Sequence, residues 1–285
     1  MRNLIYRIYR KLAYILWRIY VYTAPLKDAL NHEERKTHII VSLTSYPGRF
    51  AHIHTALKSI MLQTVKPDKI IVWLDEDVER DKFTPKMLEL EQYGIEYRMM
   101  PGDLKPHKKY FHAMQEYPDD IIITVDDDLI YPKDVIESLL KTHERYPKAV
   151  CARRVHKITK KPNGEIAPYN DWLGEYCGCD TPSHTLVATG VGGVLYPPHC
   201  LYEKTFDEKL IMELSLKADD IWLKFMEYIN NVPVVYTGMK PQHPQQIKGT
   251  RETGLFEYNK THGINDLCIK KLKMVLTELG YLRED

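Results

Sequence analysis

Residues 120–128 have the sequence DIIITVDDD, and this stretch decides the fold class. The segment Asp120–Val125 predicts a buried β-strand, because after its first aspartate it is an unbroken run of β-branched residues. The predicted strand leads directly into three acids, Asp126, Asp127 and Asp128. The surrounding sequence indicates what kind of sheet this strand belongs to.

Strand and helix patterns alternate on both sides of this stretch. The predicted strands are His38–Thr44, Lys69–Leu74, Ile95–Met99 and Asp120–Val125, and the predicted helices are Ala51–Gln63, Thr84–Tyr93, His107–Tyr117 and Pro132–Tyr146. Alternation at this spacing predicts a mostly parallel sheet flanked by helices, which binds ligands at the carboxyl ends of its strands. After residue 150 the pattern is less regular, with a predicted turn at 162–164 and a glycine-rich strand around 189–196.

The three adjacent carboxylates predict a metal site. At the end of an apolar strand they repel one another and lose hydration, which costs free energy unless a cation neutralises them. Because side chains alternate along a strand, we expect Asp126 and Asp128 to point to the same side and to share one ion. Oxygen ligands suit Mg²⁺ or Mn²⁺. The alternative is a solvated acidic turn.

The charge balance argues against general nucleic-acid binding. The chain has 40 Lys and Arg against 39 Asp and Glu, and a net charge of +1 creates no global positive field to recruit phosphates.

The cysteines are odd in number and include no C-x-x-C pair; they are Cys151, Cys177, Cys179, Cys200 and Cys268. We therefore expect free thiols in a reducing compartment.

Residues 1–22 predict an amphipathic helix. At about 100° per residue its aliphatic side chains fall within one third of the circumference. They are Leu4, Ile5, Ile8, Leu12, Ile15, Leu16 and Ile19, and the opposite side carries Arg2, Arg7, Arg10, Lys11 and Arg18. The arrangement fits a helix that lies in the headgroup layer of a membrane, and its longest charge-free run, Leu12–Trp17, is too short to span one. The alternative is a helix that packs on the protein's own body or on a second subunit. Residues 23–37 are expected to form a linker.

Several fragments of the chain occur in an order that is typical of one enzyme family. They are Thr44–Ser45–Tyr46 with Arg49, the stretch SIMLQTVKPDKIIVWLDE at 59–76, the acid triplet, Gly190–Val191–Gly192–Gly193, and Asp219–Asp220–Ile221–Trp222. Together they resemble the glycosyltransferases of the A-type fold, most closely the family-2-like enzymes of bacterial surface polysaccharide biosynthesis (capsule and lipopolysaccharide). The resemblance covers roughly residues 38–240. It implies an α/β, Rossmann-like fold, with 38–150 as the nucleotide-sugar-binding half and 151–285 as the acceptor-binding half and C-terminal helix.

The resemblance also implies roles for individual residues. Thr44, Ser45, Tyr46 and Arg49 would hold the nucleotide base and ribose, Asp75 would accept a hydrogen bond from the base, and Asp126 and Asp127 would contact the nucleotide sugar. Asp126 and Asp128 would bind Mn²⁺ or Mg²⁺. Gly190, Gly192 and Gly193 would let the acceptor approach the backbone. Asp220, with Asp219 as the alternative, would be the general base. An ordinary helix N-cap is the other interpretation of this acid pair.

Four further residues are weaker candidates. Lys108 and Lys109 could reach the donor diphosphate or belong to a solvated basic loop. His243 could be a third metal ligand or a structural residue between prolines. Trp172, near Tyr169, could form an apolar platform for an acceptor sugar or simply pack in the core.

The expected activity is transfer of a single sugar, with inversion, from a nucleotide sugar, most simply a UDP-sugar, to a glycan or lipid-linked glycan. The chain lacks the Q-x-x-R-W signature of processive synthases, and its first-strand loop is T-S-Y-P-G-R rather than the common T-x-N-R type. The expected location is the cytoplasmic face of the cell membrane. The rival interpretations are a nucleotidyltransferase, which would show a glycine-rich loop after the first strand, and a catalytically silent sugar- or membrane-binding protein.

Overall fold

The computed structural model describes residues 2–240, 244–250, 263–278 and 280, and for residues 2–11 the backbone alone. The strands are β1 (Ile39–Thr44), β2 (Lys69–Asp75), β3 (Ile95–Met100), β4 (Ile121–Thr124), β5 (Leu129–Ile130), β6 (Val150–Ala152), β7 (Val155–Lys157), β8 (Leu186–Ala188), β9 (Val194–Tyr196), β10 (Val234–Tyr236) and β11 (Gln245–Gln246). The helices are α1 (Arg2–Thr23), α2 (Phe50–Met61), α3 (Pro85–Glu91), α4 (Lys108–Glu116), α5 (Val135–Arg145), α6 (Glu208–Leu214), α7 (Asp219–Ile229) and α8 (Ile264–Glu278).

Seven strands form the central sheet, in the order β10-β6-β9-β4-β1-β2-β3. Strands β3, β2, β1 and β4 are parallel, as are β6 and β10, whereas β9 is antiparallel to both β4 and β6. The predicted mostly parallel α/β sheet is therefore confirmed. Two short antiparallel pairs, β5 with β11 and β7 with β8, lie outside it.

The sheet is covered on both faces because its strand residues alternate between two apolar cores. Ile39, Val41 and Leu43 pack with residues of α2, α3 and α5, whereas Ile40 packs with Ala113 of α4 on the other face. Parallel strands buried on both faces require helices on both sides. This places the carboxyl ends of β1, β2 and β4 together at one edge.

Helix α5 begins at Val135, three residues after the predicted start at Pro132. The amide oxygen of Gln63 accepts hydrogen bonds from Val135 N (2.9 Å) and Ile136 N (3.3 Å), and Gln63 Nε2 donates to Pro132 O (2.7 Å). Gln63, which is distant in sequence, thus satisfies the amides at the start of the helix and holds Pro132 outside it.

The glycine-rich strand predicted around 189–196 is only partly correct. Gly190–Gly192 form a 3₁₀ turn, and the strand begins at Val194. Gly193 has a φ of +88°, a conformation that favours glycine and interrupts an extended chain. The predicted turn at 162–164 is present, with Lys160 and Ile166 bridged across it.

Helix α1 packs on the body through a face other than the predicted apolar one. Trp17 Nε1 donates to Tyr131 O (2.8 Å), and Val21 is fully buried with Ala56 and Ile130. The aliphatic row on the other side is about half exposed: Leu12, Ile15, Leu16 and Ile19. Within the described residues, no helix combines the length and the apolar character needed to cross a bilayer.

A buried ion pair lies inside α7. Lys224 Nζ is 3.5 Å from Glu227 Oε2, and the two side chains are 7% and 1% exposed. Burial raises the pKa of Glu227 to about 7 and lowers the pKa of Lys224. A pair of this kind contributes little net stability, but removing one partner leaves the other as an uncompensated buried charge.

We expect Glu227→Leu alone to lower the free energy of unfolding by roughly 3–5 kcal/mol. The double variant Lys224→Met/Glu227→Leu should return to within about 1 kcal/mol of the wild type or exceed it, because both charges are removed together. Urea unfolding at pH 8 measures all three proteins. A double variant as unstable as the single one would contradict this account of the pair.

Candidate active site

A cleft of about 1420 Å³ opens at the carboxyl ends of β1, β2 and β4. Most of the residues singled out from the sequence line it: Thr44, Ser45, Tyr46, Arg49, Asp75, Lys108, Lys109, Asp126, Asp127, Asp128, Trp172, Gly190, Asp219 and Asp220. Gly192 and Gly193 are not among the lining residues. His243 lies outside the described residues. The cleft thus brings together side chains from both halves of the chain.

The three acids lie in the turn between β4 and β5. Because β4 ends at Thr124, the alternation of side chains along a strand does not apply to Asp126 and Asp128, and this part of the sequence-based argument is wrong. Each acid instead has its own partner in the protein. Ser45 Oγ donates to Asp127 Oδ2 (2.6 Å), and the buried Arg49 donates from Nη1 to Asp128 Oδ2 (2.7 Å).

Crowding and burial change the protonation of this turn. Burial raises the pKa of Asp127 to about 7, against the opposing effects of Ser45 and Arg49. Burial, with the charge of Asp128 close by, also raises the pKa of Asp126. The ionised form of buried, closely spaced carboxyl groups is stabilised by a nearby positive charge.

Lys109, in the first turn of α4, is the cation at the centre of the cleft. Its side chain is 6% exposed, and its ammonium lies 3.1 Å from Asp126 Oδ1 and 2.8 Å from Asp219 Oδ2. A Cβ added to Gly190 would lie 2.6 Å from the Lys109 nitrogen, so the absence of a side chain there makes room for it. Lys109 therefore joins the acid turn to the start of α7 rather than belonging to a solvated loop.

Asp219 and Asp220 occupy the first turn of α7 in different environments. Burial alone would raise the pKa of Asp219, but the Lys109 ammonium outweighs it and lowers that pKa. Asp220 Oδ1 accepts a hydrogen bond from Gly190 N (3.0 Å), and burial together with the charge of Asp219 raises the pKa of Asp220 to about 7.

The acid pair does not provide the N-cap of the helix. The N-cap of α7 is Ala218, and no side chain caps it. The alternative interpretation of Asp219 and Asp220 as ordinary N-cap residues is therefore wrong. Their carboxylates face the cleft at the positive end of the helix dipole.

The end of β2 forms a second polar group in the cleft. Asp75, its last residue, pairs with the ammonium of the buried Lys108, which also lies 3.4 Å from Asp103. Thr44 Oγ1 donates to Trp73 O (2.9 Å), so this hydroxyl is already engaged by the protein. Tyr46 remains 40% exposed at the rim.

The predicted acceptor residues differ in whether they line the cleft: Trp172 and Gly190 do, whereas Gly192 and Gly193 do not. Trp172 lines the cleft but is 8% exposed, and its Nε1 donates to Ala167 O (2.9 Å). Its ring contacts that of Tyr169 at a centroid distance of 4.9 Å and an interplanar angle of 49°. A Cβ on Gly193 would instead meet Val135 of α5 at 3.1 Å. Acceptor binding by Gly192 and Gly193 stays a prediction that this packing does not favour.

The donor atoms suit a divalent cation that a ligand helps to coordinate. Among the described residues, no group of three or more His, Cys, Asp or Glu side chains is arranged to hold a metal by itself. Asp126 and Asp128 each engage a single oxygen with protein partners, and no described residue bonds the other oxygen. Mg²⁺ is commonly bound by one or two carboxylates together with substrate phosphates and water, and these two acids fit that pattern.

Gln246 and Arg154 are among the cleft residues that the sequence analysis did not single out. Gln246, in β11, donates from Nε2 to Asp128 Oδ2 (3.1 Å), across 118 positions of the chain. Arg154 lines the cleft and donates from Nη1 to Thr189 Oγ1 (3.0 Å). Neither residue belongs to a motif, and only the pairing of β11 with β5 brings Gln246 to the acid turn.

Comparison with known proteins gave one family and several distant structural likenesses. The family described as Glycosyl transferase family 2 matches residues 46–211, more than half of the chain. No curated protein sequence matched the chain.

Three solved structures illustrate the structural likenesses. The mannosyltransferase PcManGT from Pyrobaculum calidifontis, in complex with GDP-Man and Mn²⁺, is 14% identical with a TM-score of 0.35, over 53% of this chain and 44% of that one. TarS 1–349 from S. aureus is 17% identical with a TM-score of 0.45, over 70% and 58%. UTP-bound UGPase from Acinetobacter baumannii is 12% identical with a TM-score of 0.38, over 85% and 99%. The chain thus spans about half the length of the first two, and likenesses this distant support no argument about activity.

We expect Lys109→Met to lower the free energy of unfolding by roughly 3–5 kcal/mol at pH 8, because Asp126 and Asp219 then lose their shared buried cation. Without that cation the folded-state pKa of Asp219 rises above its unfolded value, and that of Asp126, which burial already raises, rises further. Stability is therefore retained at low pH and lost as the pH rises. The loss should therefore be smaller at pH 5 than at pH 8 in urea unfolding.

The control is Lys108→Met, which removes a neighbouring buried lysine. Its partners Asp75 and Asp103 are 22% and 43% exposed, so water can replace the lost cation and the effect should be smaller. Equal losses for the two variants at both pH values would contradict the central role of Lys109.

Proposed function

The chain belongs to glycosyl transferase family 2, and from that premise we propose that it transfers a single sugar from a UDP-sugar to a glycan or lipid-linked glycan acceptor, with a divalent metal. The observation that carries the proposal is the joining of two acid groups in one cleft. Lys109 contacts both Asp126 of the acid turn and Asp219 of the acid pair. A donor at the first group would therefore lie beside the second, where an acceptor must lose a proton.

The nucleotide end of the donor is assigned to the edge formed by β1 and β2. Tyr46 offers an exposed aromatic ring, and the Asp75 carboxylate, held by Lys108, can accept a hydrogen bond from the uracil imide. Ser45 and Arg49 act through the acids that they hold, Asp127 and Asp128. Thr44 would contribute through its backbone, since its hydroxyl is already bonded to Trp73 O.

Asp126 and Asp128 are the proposed ligands of Mn²⁺ or Mg²⁺, together with the donor diphosphate. Such an ion supplies Lewis acidity that stabilises the departing diphosphate without protonating it. Gln246 and Arg49 fix the orientation of Asp128 through hydrogen bonds to the same oxygen. Residues that do not bind a metal themselves can still affect its affinity, because their hydrogen bonds hold the metal ligands in a fixed orientation.

Asp220 is the proposed general base. An efficient base has a pKa close to the working pH, and burial raises that of Asp220 to about 7. Asp219 is less suited, because its ion pair with Lys109 lowers its pKa and occupies one oxygen. Asp220 would take the acceptor proton as the hydroxyl attacks the anomeric carbon and UDP leaves, which inverts the configuration.

The acceptor side and the cellular setting complete the proposal. Trp172 and Tyr169, whose tilted rings both line the cleft, would offer apolar contacts to an acceptor sugar. The exposed aliphatic row of α1, with the basic residues of 1–22, supports attachment to an anionic membrane surface. Five free cysteines are consistent with the cytoplasmic side of that membrane and with surface polysaccharide (capsule or lipopolysaccharide) biosynthesis.

The first test incubates the protein with UDP-, GDP-, CMP- and dTDP-sugars and Mn²⁺ and measures released nucleotide with and without EDTA. We expect EDTA-sensitive release from a UDP-sugar, reduced roughly 10²-fold or more in Asp128→Ala, because the diphosphate loses its charge stabilisation. The control Asp119→Ala removes an exposed acid, paired with His199 outside the cleft, and should leave the release unchanged.

Two other outcomes would replace the proposal. Pyrophosphate release from UTP with a sugar 1-phosphate would indicate a nucleotidyltransferase. No release, together with no metal-dependent nucleotide binding in calorimetry, would indicate a catalytically silent binding protein.

The pH dependence tests the choice of base. Since the base must be ionised, kcat/KM for transfer should fall about tenfold for each pH unit below about 7. Asp220→Asn should lose roughly 10²–10⁴-fold in rate. In Asp219→Asn the inflection should move to lower pH, because the charge that raises the pKa of Asp220 is removed. An unmoved inflection in Asp219→Asn and an active Asp220→Asn would reject Asp220 as the base.

A further inference from the structure

A second, smaller pocket lies away from the catalytic cleft, at the C-terminal end of α1. It has a volume of about 270 Å³ and is enclosed by Val21 and Tyr22 of α1 and by residues of α2 and α3. None of its lining residues belongs to the larger cleft. The catalytic proposal therefore gives this pocket no role.

The polar groups of this pocket are mainly cationic or basic. Lys58 and His54 come from α2 and Lys86 from α3, with Glu89 as the one acid among the lining residues. Lys58 Nζ donates to Tyr22 O (3.3 Å), and Lys86 Nζ lies 3.3 Å from His54 Nε2. The hydrogen-bond partners of both ammonium groups are thus neutral, and Glu89 acts on Lys58 only through its charge, which opposes the effect of Lys86 on the pKa of Lys58.

The charge of Lys86 acts on both of its basic neighbours in the pocket. Burial, and then the charge of Lys86, lowers the pKa of Lys58. Burial, and then the same lysine, lowers the pKa of His54 to about 4, so the imidazole stays neutral at physiological pH. Cations that outnumber the one acid, Glu89, around a concave surface create a positive potential that an anion relieves.

The pocket adjoins the surface of α1 that the body leaves uncovered. Tyr20 and Tyr22 are about half exposed beside Val21, which packs into the body, and Ile15, Leu16 and Ile19 continue the exposed face along the helix. Exposed tyrosines next to an aliphatic row are typical of a helix at the level of lipid headgroups. With α1 at that level, a headgroup phosphate would lie at the same depth in the membrane as the pocket.

We propose that this pocket binds the phosphate of an anionic phospholipid headgroup while α1 lies on the membrane. The inference rests on the membrane attachment proposed above and adds a specific lipid contact to it. The Lys58 and Lys86 ammonium groups pair with the phosphate oxygens as point charges. Tyr22 and the lysine stems of the rim cover the glycerol end of the headgroup.

The test is a vesicle sedimentation assay on the full chain. Vesicles of phosphatidylcholine alone are compared with vesicles that contain phosphatidylglycerol. We expect the wild type to prefer the anionic vesicles and Lys58→Gln/Lys86→Gln to lose about 10- to 30-fold in affinity for them, as two headgroup contacts are removed. Lys148→Gln/Lys209→Gln is the matched control, since it removes the same net charge at two exposed positions outside the pocket and should change affinity less than about twofold.

Two further measurements distinguish a failure of the lipid contact from a failure of membrane attachment or of the catalytic proposal. Leu16→Glu/Ile19→Glu should abolish binding to both kinds of vesicle, and unimpaired binding would reject attachment through α1 itself. Nucleotide release from the UDP-sugar in solution should be unchanged in the lysine variant, so a failure of the catalytic proposal is seen independently of this one.

The outcome that overturns the inference is an equal loss in the two lysine double variants, which would show diffuse attraction rather than a pocket. Titration with inorganic phosphate, followed by NMR of the lysine ammonium groups, distinguishes the source of the phosphate. Phosphate-induced shifts of Lys58 and Lys86 with unchanged vesicle preference in their variant would assign the pocket to a free anion and reject the lipid.

Discussion

The ion pairs of the buried Lys109 are the interaction on which the rest of the cleft depends. Its ammonium lies 3.1 Å from Asp126 and 2.8 Å from Asp219, and thus joins the turn after β4 to the first turn of α7. Carboxylates so deeply buried would otherwise repel one another and retain protons. The same lysine lowers the pKa of Asp219, whereas burial, together with the charge of Asp219, raises the pKa of the neighbouring Asp220 to about 7. The two adjacent aspartates thereby have different properties.

The position of Lys109 is fixed through its backbone as well as its charge. Ser42 Oγ of β1 donates to Lys109 O (2.5 Å), and Trp73 Nε1 of β2 donates to Ser42 Oγ (2.8 Å). Ser42 and Trp73 are fully buried, so this relay ties the start of α4 to the centre of the sheet. Gly190 completes the arrangement, because any Cβ there would collide with the ammonium. The position of Lys109 in the cleft is therefore tied to buried residues of the central sheet.

Helix α1 and strand β11 connect the surface of the protein to the same cleft. Gln245 Nε2 donates to Tyr14 O of α1 (2.9 Å), and its neighbour Gln246 donates to Asp128. Tyr14 itself lines the cleft. Two adjacent glutamines thus point to opposite partners, one in the helix that the proposal places on a membrane and one in the acid turn. Strand β11 therefore contacts both α1, which carries the proposed membrane contact, and the acid turn of the proposed donor site.

The sequence by itself determined the sheet and identified the acid turn and the acid pair of the cleft. Runs of β-branched residues such as 121–125 and the alternation with helices specify parallel strands, and parallel strands bring their carboxyl ends to one edge. Periodicity also revealed the amphipathic helix and its apolar row. Its side chains show which face is apolar, but not which face the body covers, and the packing uses Trp17 and Val21 instead.

Only the tertiary structure decided how the cleft residues are paired. Lys109 is one of 40 basic residues, and nothing in its local sequence shows that it is buried between two acids from distant segments. The same holds for Gln63 at the start of α5 and for Gln246 at Asp128, whose partners lie 72 and 118 positions away. Secondary structure can be predicted from local periodicity. Helices form hydrogen bonds between residues close in sequence, and helices and buried strands each have a simple repeating pattern of apolar residues. Hydrogen bonds and ion pairs between distant side chains leave no periodic signal, so they depend on how the chain packs.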